Sequence, residues 1–529
     1  LFAAYQAAVD NLGSGKPTVI LAKTIKGWTL GPQVEGRNAT HQIKKLNADQ
    51  LRAMRDRLHL QEEIPDSALE GDVLPYYRPP VDSVEYQYMM ERRRSLGGSL
   101  PKRVVRNKTP LTLPSAEVFT EFTLGSGDQA VSSTMAFTRL LRNLARDDSF
   151  GSRVVPIIPD EARTFGMDSM FRELKIYASQ GQKYEPVDHD LLLSYAESTQ
   201  GQILEEGITE AGAMSSWIAA ATSYSTRGVP MVPFYTFYSM FGFQRVGDLI
   251  WQAADARARG FLMGATAGRT TLMGEGLQHQ DGHSLMLATA IPACQAYDPA
   301  FAFEVAAIVQ HGITKMYGDN PADIFYYITL YNENIPMPAQ PSHVSTQDII
   351  NGLYQWAPAG SGTAQASILF SGSAFTAASE AATILRTKYS IDVDLWSATS
   401  YKSLRDDGME VERWNRLHPT EKKRRSHIDT MLGATTAPVI AVTDFLRIVS
   451  EQVATFVPSR RFLSLGTDGM GRSDTREALR EYFETNAPHI VIAVLFSLIG
   501  SHGVTKEIVA QAIIDLNINP DAVHSLTRD

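Results

Sequence analysis

Three carboxylates cluster in the segment 203–214, which reads ILEEGITEAGAM. Glu205 and Glu206 end a short strand pattern, Gly207 permits a turn, and Glu210 falls in the first turn of the helix that follows. Acidic side chains at this position commonly do no more than stabilise the helix dipole. The small apolar residues around Glu210 instead predict burial, which favours the protonated form of a carboxyl. A carboxyl in that setting is suited to share a proton with a heteroaromatic ring nitrogen.

A dense run of aromatic residues follows at 234–245, which reads FYTFYSMFGFQR. It spans the end of a strand and the start of a helix, the place where ligands bind in open α/β sheets. Core packing and a shelf that stacks a flat ring explain the run equally well. The aromatic residues are Phe234, Tyr235, Phe237, Tyr238, Phe241 and Phe243.

Two histidines stand four residues apart in the segment 279–283, HQDGH. On a helix, His279 and His283 would make a metal pair, but the glycines within and before this segment predict a loop, and no third soft ligand is near. A polar rim of an active site is the favoured interpretation. A further histidine, His41, lies in the glycine-rich segment 24–42, where a solvated side chain is the default and a functional loop the alternative.

Two glycine-rich strand-to-helix turns, 371–373 (SGS) and 466–471 (GTDGMG), could each bind an anion at the N-terminus of the following helix. Neither has the spaced glycines of a dinucleotide loop, and tight turns in a parallel sheet explain both better. The sequence contains no Walker loop, no zinc-type cysteine set and no GxSxG elbow.

Alternating strand and helix patterns must position these side chains, and alternation predicts parallel sheets covered by helices on both faces. We predict one such α/β domain at 115–332 and a second at 345–529, joined by a proline-rich linker at 333–344. The predicted strands are 154–158, 202–204, 231–235, 261–265 and 324–329 in the first domain, and 367–370, 393–396, 439–442 and 462–465 in the second.

The first part of the chain predicts the end of a further domain. Residues 1–59 contain a helix at 1–12, a buried strand at 17–22, the loop 24–42 and a helix at 47–58, and a linker follows at 60–114. The chain begins with Leu1 and no pattern before the first strand closes a domain. We therefore expect that an N-terminal portion of this domain is missing.

Composition restricts the class of protein. The 529 residues are 44% hydrophobic and 20% charged, as in ordinary globular proteins, and the net charge of −9 argues against a general nucleic-acid binder. A single cysteine, Cys294, fits a reducing cytoplasm. The longest apolar run, 490–499, is far shorter than the ~20 residues that cross a bilayer, so no membrane segment is expected.

Taken together, the motifs resemble the homodimeric pyruvate dehydrogenase E1 family along the whole chain, and transketolase more distantly. The runs that carry the resemblance are 22–27 (AKTIKG), 35–41 (EGRNATH), 160–167 (DEARTFGM), 207–212 (GITEAG), 233–245 (PFYTFYSMFGFQR), 274–283 (GEGLQHQDGH) and 466–476 (GTDGMGRSDTR).

The resemblance implies a transketolase-like, thiamine-diphosphate-binding fold with a transketolase-type C-terminal domain. It implies oxidative decarboxylation of pyruvate, with the acetyl group passed to the lipoyl domain of a dihydrolipoyl acetyltransferase, by a cytoplasmic homodimer. Glu210 matches the glutamate that hydrogen-bonds the aminopyrimidine ring, Phe241 the aromatic that stacks on it, and Arg245 stands beside them. Other matches to active-site positions are Asp160, Glu161, Tyr238, Glu275, His279, His41 and Lys26.

One departure from the family pattern concerns the metal. The thiamine diphosphate fingerprint, Gly-Asp-Gly followed some 25–30 residues later by Asn, is absent from this sequence. We therefore expect the magnesium and diphosphate ligands in the missing N-terminal region, no metal ligand in this chain, and negligible activity for the chain alone. Two alternatives stay open, transketolase-like ketol transfer and a non-catalytic dimerisation fragment.

Overall fold

The computed structural model describes residues 1–71, 73, 75–99, 111–159, 162–187, 189, 195–360, 362–433, 436–458 and 461–527. The chain forms two compact units, Leu1–Pro101 and Lys102–Asp529. Each unit is described by itself.

The first unit is helical. Its helices are α1 (Phe2–Asp10), α2 (Ala48–Arg57) and α3 (Val84–Ser95). The predicted helix at 47–58 is confirmed, and Asn47 caps α2 by accepting from the Gln50 N–H. The predicted buried strand at 17–22 is wrong. Val19 and Leu21 are 79% and 92% exposed, and no described residue of this unit supplies a neighbouring strand to pair with them.

The strands of the second unit's first half are β1 (Ala130–Val131), β2 (Val154–Ile158), β3 (Ile176–Tyr177), β4 (Glu197–Ser198), β5 (Leu204–Glu205), β6 (Val232–Tyr238), β7 (Phe261–Ala265), β8 (Cys294–Tyr297), β9 (Phe325–Thr329) and β10 (Ile335–Pro336). Six of them form a parallel sheet at the centre of this half, in the order β5-β2-β6-β7-β9-β8. Two predicted strands, 154–158 and 261–265, are found with the same bounds, but β8 was not predicted.

The strands of the second half are β11 (Tyr354–Ala357), β12 (Ala366–Phe370), β13 (Val393–Ser397), β14 (Val439–Val442) and β15 (Phe462–Leu465). They form a five-stranded sheet in the order β11-β13-β12-β14-β15. The edge strand β11 is antiparallel and was not predicted by sequence analysis, and the other four strands are parallel. The predicted linker 333–344 contains β10, which pairs with β1.

Helices cover both faces of both sheets, as the strand–helix alternation predicts. In the first half these are α4 (Glu117–Thr120), α5 (Ser133–Arg146), α6 (Phe171–Leu174), α7 (Glu210–Ala221), α8 (Ser223–Thr226), α9 (Gly242–Asp255), α10 (Ser284–Thr289) and α11 (Ala302–Tyr317). In the second half they are α12 (Thr346–Asn351), α13 (Phe375–Tyr389), α14 (Tyr401–Leu417), α15 (His427–Leu432), α16 (Ile448–Glu451), α17 (Arg476–Tyr482), α18 (Ala487–Ser497) and α19 (Lys506–Asp515).

The hydrophobic core runs through both halves of the second unit. One cluster joins Phe137 of α5 and Ile308 of α11 to Val494 of α18, and the other joins Trp217 of α7 to Leu404 of α14. The two α/β halves therefore share their core. Among the described residues, no helix combines the length and apolar character that a membrane crossing requires.

Candidate active site

The predicted site residues of the second unit lie on three segments that follow β5, β6 and β7. These strands belong to one parallel sheet, so their carboxyl ends meet at the same edge. That edge is where ligands bind in open α/β sheets.

Glu210 is the first residue of α7. Gly207 makes the turn after β5 with a φ of 80°, and the Thr209 hydroxyl caps the helix by accepting from the Gly212 N–H at 3.2 Å. The Glu210 side chain is 13% exposed. The predicted burial of its apolar flanks is only partly correct. Ile208 is 75% exposed, because α7 packs on the sheet through its other face.

The aromatic run divides between the core and the site. Phe234, Tyr235, Phe237 and Phe243 are buried, while Tyr238 and Phe241 are partly exposed. Gly242 allows this change of direction, since a Cβ there would lie 2.2 Å from Phe237 Cε2. Core packing is therefore confirmed for the four buried residues, whereas a shelf that stacks a flat ring stays a prediction for Tyr238 and Phe241.

Arg245 connects Glu210 to Phe241. Its Nη1 donates to Glu210 Oε1 at 2.9 Å, and its Cζ lies 3.9 Å from the centroid of the Phe241 ring. A flat N–H donor therefore rests on the aromatic face while it hydrogen-bonds the carboxylate. Glu210 and Phe241 together therefore bind a flat group that carries N–H donors.

His279 contacts both aromatic residues of the site. Its ring stacks on Tyr238, with centroids 4.8 Å apart and planes 1° from parallel, and meets the Phe241 ring edge-on at 5.3 Å. Its Nδ1 lies 2.9 Å from Glu275 Oε2. The segment is a loop with a single 3-10 turn, as its glycines predict. Among the described residues, no three His, Cys, Asp or Glu side chains are grouped so as to hold a metal ion.

The remaining predicted residues lie elsewhere. Lys26 and His41 belong to the first unit, where Lys26 Nζ lies 2.7 Å from His41 Nδ1 on an exposed surface. Asp160 and Glu161 lie outside the described residues.

Sequence analysis missed the contact between the segment 266–283 and the C-terminal half of the second unit. Arg269 and Gln280 of this segment are buried, and Asp444 of the C-terminal half accepts from the Thr270 N–H at 3.0 Å. Burial lowers the pKa of Arg269 and raises that of Asp444 to about 7. The glycine-rich run 466–476 was the available signal, but its distance in sequence from residue 280 hid the contact.

Comparisons with known proteins agree with this geometry. Residues 113–338 match the pyruvate dehydrogenase E1 component middle domain, and residues 352–486 match the transketolase-like C-terminal domain. The chain is 49% identical over 522 residues to the pyruvate dehydrogenase E1 component of Pseudomonas aeruginosa, covering 98% of this chain and 58% of that protein. Over 98% of its length, this chain is similar to a pyruvate dehydrogenase E1 component.

Other members of the pyruvate dehydrogenase E1 component family give a consistent result. The Mycobacterium tuberculosis protein is 51% identical over 503 residues, which is 94% of this chain and 53% of that protein. The Escherichia coli K12 protein is 45% identical over 524 residues, which is 99% of this chain and 58% of that protein. The chain thus spans just over half the length of these relatives.

Solved structures confirm the predicted transketolase-like fold. Transketolase from Campylobacter jejuni matches with a TM-score of 0.63 at 16% identity, covering 93% of this chain and 65% of that one. A transketolase from Pichia stipitis in complex with sedoheptulose-7-phosphate matches with a TM-score of 0.62 at 14% identity, covering 93% and 64%.

Proposed function

We propose that this chain carries the pyrimidine-binding and C-terminal parts of an enzyme that oxidatively decarboxylates pyruvate with thiamine diphosphate. After carbon dioxide leaves, the remaining two-carbon unit passes to the lipoyl group of a dihydrolipoyl acetyltransferase, whose disulfide opens to one acetyl thioester and one thiol. The observation that carries the proposal is Glu210 beside Phe241 at the carboxyl edge of the sheet, in a chain 49% identical to a pyruvate dehydrogenase E1 component.

The residues present fit the aminopyrimidine end of thiamine diphosphate. This fit is supported by the Arg245 guanidinium, a flat group with N–H donors that rests against both Glu210 and Phe241. An aminopyrimidine shares this shape and donor chemistry. Bound there, thiamine diphosphate supplies the electron sink that lets the 2-oxo acid lose carbon dioxide.

The side chains of this chain then have separate tasks. Glu210 holds a proton on the ring nitrogen, and Phe241 orients the ring by stacking. His279, oriented by Glu275 and Tyr238, exchanges a proton with the substrate oxygen. For Lys26, His41, Asp160 and Glu161 we propose the active-site roles that the family resemblance implies.

The remaining parts of the proposal concern groups beyond this chain. The magnesium ion and the diphosphate are assigned to the region of the relatives that this chain does not match, since the Gly-Asp-Gly fingerprint is absent from this sequence. We also propose that the protein is a homodimer, as the family resemblance implies. A single cysteine, which is buried, supports a cytoplasmic location. Sedimentation velocity of the purified chain tests the dimer.

Pyruvate decarboxylation coupled to an artificial electron acceptor tests the central claim. The 529-residue chain is compared with a fusion in which the part of the Pseudomonas aeruginosa relative that it does not match is joined to its N-terminus. We expect turnover of pyruvate by the fusion with thiamine diphosphate and magnesium, and negligible turnover by the chain alone. Glu210→Gln in the fusion should lower kcat by about 100-fold or more, because the ring nitrogen loses its proton donor.

Ile208→Ala, an exposed neighbour of Glu210, is the matched control and should retain activity. Transfer of ketol units from a ketose phosphate, in place of pyruvate turnover, would replace the proposal with a transketolase-like function. A fusion that binds thiamine diphosphate yet turns over neither substrate would support a non-catalytic role.

A further inference from the structure

The loop that carries His279 is held from outside its own domain. It follows β7, whereas the segments that grip it, 443–447 and 466–476, follow β14 and β15 of the other sheet. Leu446 N–H donates to Gly282 O at 2.8 Å, and Arg476 Nε donates to Thr271 O at 2.8 Å. The two ends of the loop are therefore anchored to the C-terminal half.

Arg269 fastens the middle of the contact. Its Nη1 donates to the carbonyl oxygens of Thr467 and Gly469, the second at 2.6 Å. The guanidinium packs on Gly282 so closely that a Cβ there would lie 2.5 Å from Arg269 Cζ. Arg269 is 6% exposed, so it ties the two loops together in a setting from which water is largely excluded.

Gln280, the residue after His279, makes the contact nearest to the imidazole. Its side chain is 1% exposed and its Oε1 accepts from the Arg472 N–H at 2.6 Å. Gly471 fits against it without a side chain, because a Cβ there would lie 2.8 Å from Gln280 Oε1 and 3.1 Å from Leu277 O. These contacts leave the backbone around His279 little room to shift.

We propose that Gln280 is a positioning residue, which fixes the His279 imidazole against Tyr238 by locking its loop onto residues 466–472 of the C-terminal half. The transketolase-like C-terminal half then contributes to catalysis by positioning a side chain that belongs to the other half. This inference rests on the proposed function, since the position of His279 matters to turnover only if His279 acts on the substrate.

The ring stack provides a readout that does not need activity. The His279 ring is stacked on the face of Tyr238, so the ring current should displace the nuclear magnetic resonance signal of the His279 Cε1 proton upfield. The signal is assigned in the histidine-labelled 529-residue chain with His279→Gln, and its displacement is measured against Tyr238→Leu. Gln280→Met, which keeps the size but removes the acceptor, should reduce that displacement by at least half.

Two matched controls separate positioning from general loss of stability. Gln365 Oε1 also accepts a backbone N–H, that of Asp392 at 2.7 Å, at the opposite edge of the second sheet. Gln365→Met should lower the unfolding midpoint as Gln280→Met does, yet leave the His279 signal in its native place. Gly471→Ala should move the signal, whereas Gly360→Ala, whose nearest atom would be Asp392 Oδ2 at 3.5 Å, should not.

The native His279 signal in folded Gln280→Met would overturn the proposal. If Gln280→Met does not unfold cooperatively, Gly471→Ala decides in the same way. In the fusion described above, Gln280→Met should lower kcat for pyruvate by about 10-fold or more, with a smaller change in KM, because misplacing a reacting group costs rate. A native fusion without pyruvate turnover would refute the proposed function, and the resonance experiment would still decide the positioning.

Discussion

The imidazole of His279 lies flat on the phenol ring of Tyr238, 4.8 Å between centroids and 1° from parallel. The two residues come from different strand ends, β6 and β7, and Phe241 meets both rings edge-on. Stacking on one side and the carboxylate of Glu275 on the other leave the imidazole a single orientation.

Tyr238→Leu should therefore lower pyruvate turnover by the fusion by about 10-fold to 100-fold, because the imidazole loses its support. Tyr238→Phe keeps the ring and is the matched control for stacking. Steady-state kinetics of both variants gives the measurement. Equal losses in the two variants would assign the effect to the hydroxyl and contradict the role of the stack.

Phe241 is expected to contribute to cofactor affinity. Replacing it with Ala removes the aromatic face that Arg245 now covers, and such stacking contributes about 1 kcal/mol. Phe241→Ala should weaken thiamine diphosphate binding by the fusion by about 5-fold. Titration calorimetry measures the affinity, with Phe241→Tyr as the control that retains a ring; unchanged affinity in Phe241→Ala would exclude the stacking role.

Asp444 predicts a dependence of stability on pH. Burial raises its pKa to about 7, although the charge of Arg480 and hydrogen bonds from Thr270 and Ser373 lower it. Between its ordinary pKa and about 7, the unfolded chain has lost this proton and the folded chain keeps it. Its contribution to stability is therefore complete at low pH and declines by about 1.4 kcal/mol per unit as pH rises through this window.

Asp444→Asn removes this proton and should flatten the dependence. Urea unfolding of the native chain and of Asp444→Asn, measured from pH 5 to pH 8, tests the expectation. Parallel curves for the two proteins across the window would show that Asp444 is ionised in the folded state.

Glu304 is expected to stabilise the junction of the two halves. It is fully buried and accepts from the N–H groups of Ala300 and Phe301 and from the hydroxyls of Tyr354 and Ser397. Burial raises its pKa even with these four donors. Glu304→Ala leaves the donors without an acceptor and should lower the free energy of unfolding by about 3–5 kcal/mol.

Urea unfolding measures this loss, and Glu380→Ala on the solvent side of α13 is the matched control. A change in Glu304→Ala no larger than the control's would show that water or another group can replace the carboxylate.

The α/β class and, to within one residue, the bounds of most buried strands could be predicted from the sequence. These features follow from local patterns, because burial on both faces of a parallel strand demands a continuous apolar run. The run 154–158 predicted β2 with its observed bounds, and Gly207 marked the turn before α7. The segments that contain Glu210, Tyr238, Phe241 and His279 stand out by their residue types, whereas the roles of these side chains are implied by the family resemblance.

Which aromatic residues face the site, and which residues hold the His279 loop, depend on how the elements pack in three dimensions. Phe237 and Tyr238 are adjacent in one strand, and sequence could not assign one to the core and the other to the edge where the strand ends. The contact between Gln280 and Arg472 joins residues 192 positions apart. Such a contact depends on how the two sheets pack, which no local periodicity records. The apolar segment 17–22 shows the converse, because an apolar run becomes a strand only where a neighbour offers hydrogen bonds.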